Sequence, residues 1–250
     1  MKQYVIRQKR AGKNLLAILT VGDNFYWAGV APGMWEKMWA NVYGTNDPSS
    51  PLHQVPWLAT LGNHDFGDVD PYAFCPDVSP FTAVNGQTYA CQQLNADRNP
   101  TRPAGTEAYW VPDYSYHYEI PEADVEFIFV DTNEEYVNYK INTIGFHSAR
   151  EKCGGQEVVA TFLRRIRQSG EELLAQRGAS GRANTTVILQ HYPEHGWHTR
   201  RIFEDAAASK GRRTKVLGAW GHAHDQFCEG RDSAGNCDMV LTGGGGGCCL

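Results

Sequence analysis

Four short apolar runs, Leu15–Val21, Val55–Leu61, Val187–Gln190 and Val216–Trp220, read as buried strands, and each gives way at once to a compact polar motif. Between and around them lie stretches of helical spacing. The clearest is Gln156–Arg177, where Val159, Phe162, Leu163 and Ile166 fall on one face; the pattern predicts an interruption near Ser169-Gly170 and a cap at Gly178. Strands alternating with helices predict an α/β fold, and loops at the carboxyl ends of strands in such sheets share one crevice. Four motifs distant in sequence are therefore expected to form one site.

In chain order, residues 1–12 read as the end of an amphipathic helix closed by Gly12. Trp35 and Trp39, four residues apart, predict a helix with one aromatic face turned to the core. Residues 66–108 have no clear period and read as a long loop, stapled or functional. Tyr109–Ile120 alternates as a strand, with Tyr114, Tyr116 and Tyr118 on one face, and Val125–Val130 reads as its neighbour in one sheet. Thr199–Gly211 has helical character, and a hairpin closes the chain before a run of five glycines. A pattern that opens on a helix lacks the strand expected before it. Residues 1–250 are accordingly expected to form a single domain, incomplete at both ends.

A chain of 250 residues with 42% hydrophobic content can bury one substantial core, and a net charge of −5 argues against a nucleic acid or an anionic membrane held by bulk charge. The basic clusters near Arg164, Arg200 and Arg212 read as solvated faces. No apolar run reaches the roughly 18–20 residues of a membrane span, and the first residues have no signal-peptide core. Seven cysteines are present, none in a paired zinc pattern. Cys228 and Cys237 flank a turn-rich segment suited to a disulfide-bridged hairpin, and Cys75 and Cys91 bracket a loop rich in Pro, Gly and Asn. Free buried thiols are the alternative. Bridges, together with the glycosylation triplet Asn184-Thr185-Thr186, point to an oxidising compartment.

The strand-end motifs offer a particular chemistry. Asp23 gives a carboxylate, Tyr26 a phenol, Asn63 an amide oxygen, and His191, His222 and His224 three imidazoles. That mixed oxygen and nitrogen set suits borderline metals such as iron, zinc or manganese. The motifs Gly22-Asp23-Asn24-Phe25-Tyr26-x-x-Gly29, Gly62-Asn63-His64-Asp65, Gln190-His191-Tyr192-Pro193 and Gly221-His222-Ala223-His224 occur in the order found in calcineurin-like metallophosphoesterases. The chain resembles that superfamily over residues 13–247, and within it the purple, tartrate-resistant acid phosphatases, in which a tyrosine phenolate binds ferric iron.

The resemblance implies an α/β/β/α sandwich of two mixed sheets flanked by helices. It also implies hydrolysis of phosphate monoesters by in-line attack of a metal-activated hydroxide at a dinuclear centre, Fe(III) with Fe(II), Zn(II) or Mn(II), the two ions roughly 3.5–4 Å apart. Asp23 resembles the bridging carboxylate, Tyr26 and His224 ligands of the ferric ion, and Asn63, His191 and His222 ligands of the divalent ion. His64 resembles a histidine that orients phosphate and protonates the leaving alkoxide. His195 resembles a second histidine near the substrate; for it and His198 a loop histidine without a role is the alternative. Asp65 and Asp225 resemble carboxylates that fix neighbouring imidazoles, or else turn residues. The family's first strand, ending in an aspartate that binds the ferric ion, has no counterpart here, which implies a weakened iron site. Substrates are expected to be phosphorylated small molecules or phosphoproteins, in a secreted, vacuolar or lysosomal setting. The alternatives are a non-catalytic or fragmentary metal- and phosphate-binding relative, and a phosphodiesterase or nucleotidase.

Overall fold

The computed structural model describes residues 1–25, 29–30, 33–53, 55–66, 90–97, 99, 102–133, 156–193 and 196–243. Tyr26, His195 and the Cys75–Cys91 pairing lie outside the described residues.

The protein is α/β with two sheets. The first contains β1 (Ile18–Val21), β2 (Trp57–Thr60) and β3 (Tyr109–Trp110), in that order and all parallel. The second contains β4 (Tyr116–Ile120), β5 (Val125–Val130), β6 (Thr185–Gln190), β7 (Lys215–Trp220), β8 (Gln226–Arg231) and β9 (Cys237–Thr242), in the order β4-β5-β6-β7-β9-β8. Its inner strands run parallel, and β4 and β8 pair antiparallel at the two edges. Only the second sheet is mixed, so the expectation of two mixed sheets is corrected: the described strands of the first are all parallel.

A second correction concerns Tyr109–Ile120, which is not one strand. It breaks after Trp110, where Val111 and Pro112 carry the chain from one sheet to the other; proline cannot donate to a ladder. The break stitches the layers together. The Tyr116 hydroxyl donates to Ala59 O at 2.9 Å and Trp110 O at 3.1 Å, and Thr60 Oγ1 donates to Val130 O at 3.2 Å.

Helix α1 (Lys2–Arg10) ends in a turn where Gly12 takes φ +73°. The segment Trp35–Ala40 is π-helical and runs into α2 (Asn41–Tyr43). Its tryptophans are buried, as their spacing predicts, in an edge-to-face cluster with Phe25, Trp57 and Tyr109 at centroid separations of 5.0–6.0 Å. The second sheet's outer face carries α3 (Gln156–Ser180) and α4 (Gly196–Ser209), with Ile128, Val130, Leu174, Ile188, Phe203 and Val216 in a common cluster.

Neither Gly170 nor Gly178 interrupts or caps α3, contrary to the expectation from sequence. Both permit close approach instead. A Cβ at Gly170 would lie 2.8 Å from Val130 Cγ1 and 2.9 Å from Ser115 Oγ, and one at Gly178 would lie 2.4 Å from Phe203 O on α4. The helix accepts two unfavourable residues, at about 1 kcal/mol each, to sit against the sheet and its neighbour. Cys228 and Cys237 form a disulfide across the β8–β9 hairpin, with Cα atoms 5.7 Å apart. No helix among the described residues is long and apolar enough to cross a membrane.

Candidate metal centre

Asp23 follows β1, Asn63 follows β2, His191 follows β6 and His222 follows β7, so the four motifs come from both sheets, not from one. They meet where the carboxyl ends of the sheets face each other, and glycines allow it. A Cβ at Gly22 would stand 2.5 Å from His191 Nδ1, and one at Gly62 only 2.2 Å from Asp23 Oδ1 and 2.8 Å from His191 Cε1. Asp23 (φ +56°), His222 (φ +61°) and His224 (φ +43°) all take the left-handed conformation, and Asp124 is the one other described non-glycine residue with positive φ. Such residues cost about 1–3 kcal/mol each and collect where the surrounding structure enforces a geometry.

The donor atoms converge on His191 Nε2. Asn63 Oδ1 lies 3.0 Å from it, His222 Nδ1 3.2 Å and Asp23 Oδ1 3.4 Å. His191 Nδ1 lies 2.8 Å from Val21 O, a carbonyl that can only accept, so the ring proton sits on Nδ1 and Nε2 presents a lone pair. A ring lone pair, an amide oxygen, a carboxylate oxygen and a second imidazole thus share one small volume. With His222 on the tautomer that leaves Nδ1 unprotonated, these four groups could hold a cation between them. Around a metal with bonds of about 2.0–2.1 Å, neighbouring donors sit about 2.9 Å apart in an octahedron and about 3.4 Å apart in a tetrahedron, which brackets the separations here.

Electrostatics favour the same state. Burial lowers the pKa of His191, only partly opposed by the charge of Asp23. Burial and then His191 bring His222 down to about 4, so its ring stays neutral well into the acid range, and burial favours the neutral ring at His191 as well. His224 lines the cleft containing Asp23, His191 and His222, a space of about 490 Å³ walled on one side by Trp39, Tyr43 and Trp57. Among the described residues, Asp23, His191 and His222 gather their ligand atoms within 4.8 Å. The His64 ring is near enough for its charge to depress both His191 and His222, and its backbone N–H donates to Asp23 Oδ1 at 3.1 Å. His198 is on the exposed face of α4, paired with Glu171 at 3.1 Å. A second grouping, His117, Glu119 and Glu126, is bridged by Arg177, which pairs with both carboxylates.

Asp65 does not fix an imidazole among its described contacts. Fully buried, it accepts from the backbone N–H of Gly62 at 2.8 Å, Asn24 at 2.9 Å and Phe25 at 3.2 Å, and from Gln93 Nε2 at 2.8 Å. It therefore staples the Asp23 loop to the Asn63 loop. Burial, then the charge of Asp23, lifts its pKa to about 6 against these donors. Asp225 is exposed directly before β8, accepting from Gln226 N through its carboxylate and from Gly243 N through its carbonyl. The sequence reading passed over a further strand end, Asp131-Thr132-Asn133 after β5. Asn133 Nδ2 donates to Leu61 O at 3.0 Å and Tyr192 N to Thr132 Oγ1 at 3.3 Å, tying β5 to the loops bearing Asn63 and His191. A carboxylate directly after an apolar run was the available signal.

Comparison with protein-family models gives no match to this chain, and comparison with curated proteins gives none either.

Proposed function

We propose that this chain is a metal-dependent hydrolase of phosphate monoesters, of the calcineurin-like metallophosphoesterase type and closest in its motifs to purple acid phosphatases, with its two sheets and flanking helices forming the corresponding sandwich. One observation carries the proposal: donor atoms from three strand ends converge at 3.0–3.4 Å on a lone pair of His191, at a fourth. Asp23, Asn63, His191 and His222 would hold one cation; His224 and Tyr26 are assigned to a second, with Asp23 shared. When bound, the cations supply Lewis-acid charge opposite the phosphoryl oxygens.

The chain's own groups do the rest. The His64 N–H fixes the Asp23 carboxylate, and the His64 ring, half-buried beside the cluster, is assigned the proton delivered to the leaving alkoxide. His195 is assigned to the substrate phosphate. The Cys228–Cys237 bridge favours an oxidising compartment for this activity.

Hydrolysis of p-nitrophenyl phosphate between pH 4 and 8, with iron and zinc supplied, tests the proposal against an Asn63→Ala control. An acid optimum lost in the control supports it; a flat profile from folded, metal-loaded protein rejects it. A second reading, a one-cation binding protein without turnover, is favoured by the group Asp23, His191 and His222, whose ligand atoms lie within 4.8 Å of one another and suffice for one cation. One equivalent of bound metal with no hydrolysis would establish that reading instead.

A further inference from the structure

Alternate residues of β2 face opposite sides of the first sheet, and each side carries a cleft. Trp57 lines the metal-centre cleft; Leu58 lines another, of about 660 Å³, within the range of small-molecule sites. The second lies toward the amino ends of β2 and β3, as its lining by Pro56 and Ala108 shows, away from Asn63 at the other end of β2.

Its floor is apolar and aromatic. Leu58 is fully buried, and Trp110 and Tyr118 meet edge-to-face at 5.3 Å, both half-buried. Its polar groups are mostly acceptors. His53 Nδ1 lies 2.7 Å from the carbonyl of Thr45, so the ring proton is on Nδ1 and Nε2 is left as the acceptor of the neutral ring. Glu107 stands at the rim, its carboxylate oriented by the backbone N–H of Gly105 at 3.0 Å and kept ionised by such bonds. The Thr45 hydroxyl, in the same wall, is buried without a hydrogen-bond partner among the described residues.

Of the nearby cations, Arg102 directs its N–H groups to the carbonyls of Gln93, Thr106 and Tyr109 while its charge still reaches Glu107 and helps keep it ionised, and Lys2, beside Gly44, is offset by Asp47. Acceptors over an aromatic floor select a ligand that brings donors and positive charge, since ring faces also attract cations.

We propose that this cleft binds a small amphipathic amine, its protonated amino group held by Glu107 and His53 and its apolar or aromatic body lying on Trp110, Tyr118 and Leu58. The site is independent of the metal centre and of the hydrolytic reading.

Three probes of one shape test it by calorimetry: 2-phenylethylamine, neutral 2-phenylethanol and anionic 3-phenylpropionate. The amine is expected to bind at least about tenfold tighter than the alcohol, a charge-assisted hydrogen bond being worth that factor or more, and the acid to bind weakest. Glu107→Gln, the same size on an exposed side chain, is expected to remove that preference at unchanged Tm. Ala108→Phe, which fills the cleft, is expected to abolish binding of all three. Equal affinity for the three probes, no binding of the amine at millimolar concentration, or an amine preference that survives Glu107→Gln would overturn the proposal.

Discussion

Replacing Gly62 with alanine tests the candidate metal centre with a single methyl group. The added Cβ would stand 2.2 Å from Asp23 Oδ1, which is 1.2 Å short of the 3.4 Å at which ordinary contact begins, and also 2.5 Å from Asp23 N and 2.8 Å from His191 Cε1. The backbone of Gly62 is not in the left-handed region, so alanine can adopt it and the penalty is steric. The carboxylate, held by the His64 N–H, must yield by about 1 Å and the Asp23 backbone N must shift with it, whereas a metal–ligand distance tolerates only about 0.2 Å. Overpacking of this kind costs about 1–3 kcal/mol, which a domain of this size survives. Metal affinity has no such margin. Disturbing even an outer partner of a ligand costs about 10–100-fold, so displacing Asp23 itself is expected to weaken zinc binding by about a hundredfold or more. Zinc titration by calorimetry, with circular dichroism as the check on folding, reads this directly. Gly170→Ala is the control, because its Cβ meets Val130 and Ser115 at 2.8 and 2.9 Å with no candidate ligand among those contacts. If folded Gly62→Ala protein binds zinc as tightly as the parent, or if Gly170→Ala weakens binding as much, the packing of Asp23 against Gly62 does not shape a metal site.

Three further outcomes follow from the packing and the buried charges. Asp131 is buried, its Oδ2 lacks a hydrogen-bond partner among the described residues, and burial raises its pKa from 3.8 to about 7. A raised folded pKa contributes stability that is complete below 3.8 and lost as pH rises through about 7. Asp131→Asn should therefore gain on the parent by up to about 4 kcal/mol between pH 4 and pH 8, as read by urea unfolding; a pH-independent difference refutes the buried carboxyl. Reducing the Cys228–Cys237 bridge, which closes a loop of nine positions' separation, should cost about 2–3 kcal/mol, and an unchanged unfolding midpoint in reductant would count against the hairpin staple. Gly178→Ala gains about 1 kcal/mol of helix propensity but drives a methyl to 2.4 Å from Phe203 O, an overpacking cost of about 1–3 kcal/mol, so Tm should fall, by up to about 8 °C; a rise would mean that α3 and α4 do not pack through that glycine.

The parts of this fold that depend on local period were legible in the sequence. Val125–Val130 occupies the bounds its apolar run gives, and β6, β7 and the long helix lie within a few residues of their readings. Tertiary contact decided the rest. Gly170 and Gly178 read as breaks because propensity counts a glycine against a helix, and only the neighbouring Val130 and Phe203 explain why the helix continues. The alternation of Tyr109–Ile120 was real, but no local rule says that a run of alternating residues will divide between two sheets at Pro112.

The candidate metal centre divides along a similar line, and the division bears on what kind of site it is. Asp23, Asn63, His191 and His222 could be found because each ends an apolar run, which places it at a strand's carboxyl end whichever sheet it joins. The role of Asp65 stayed open because an acid two residues from a candidate amide ligand looks the same in sequence whether it orients an imidazole, closes a turn or accepts backbone N–H groups from two loops. The left-handed backbone at Asp23, His222 and His224 breaks local preference at three candidate ligands, and sequence offers no sign of it. Had these residues served only as turns, glycine or asparagine would have met the backbone requirement at lower cost. An aspartate and two histidines in that conformation make sense where the side chain is needed for its donor atom. The strain is then the cost of aiming those atoms, and the convergence of Asp23 and His222 on His191 is what the strain accomplishes.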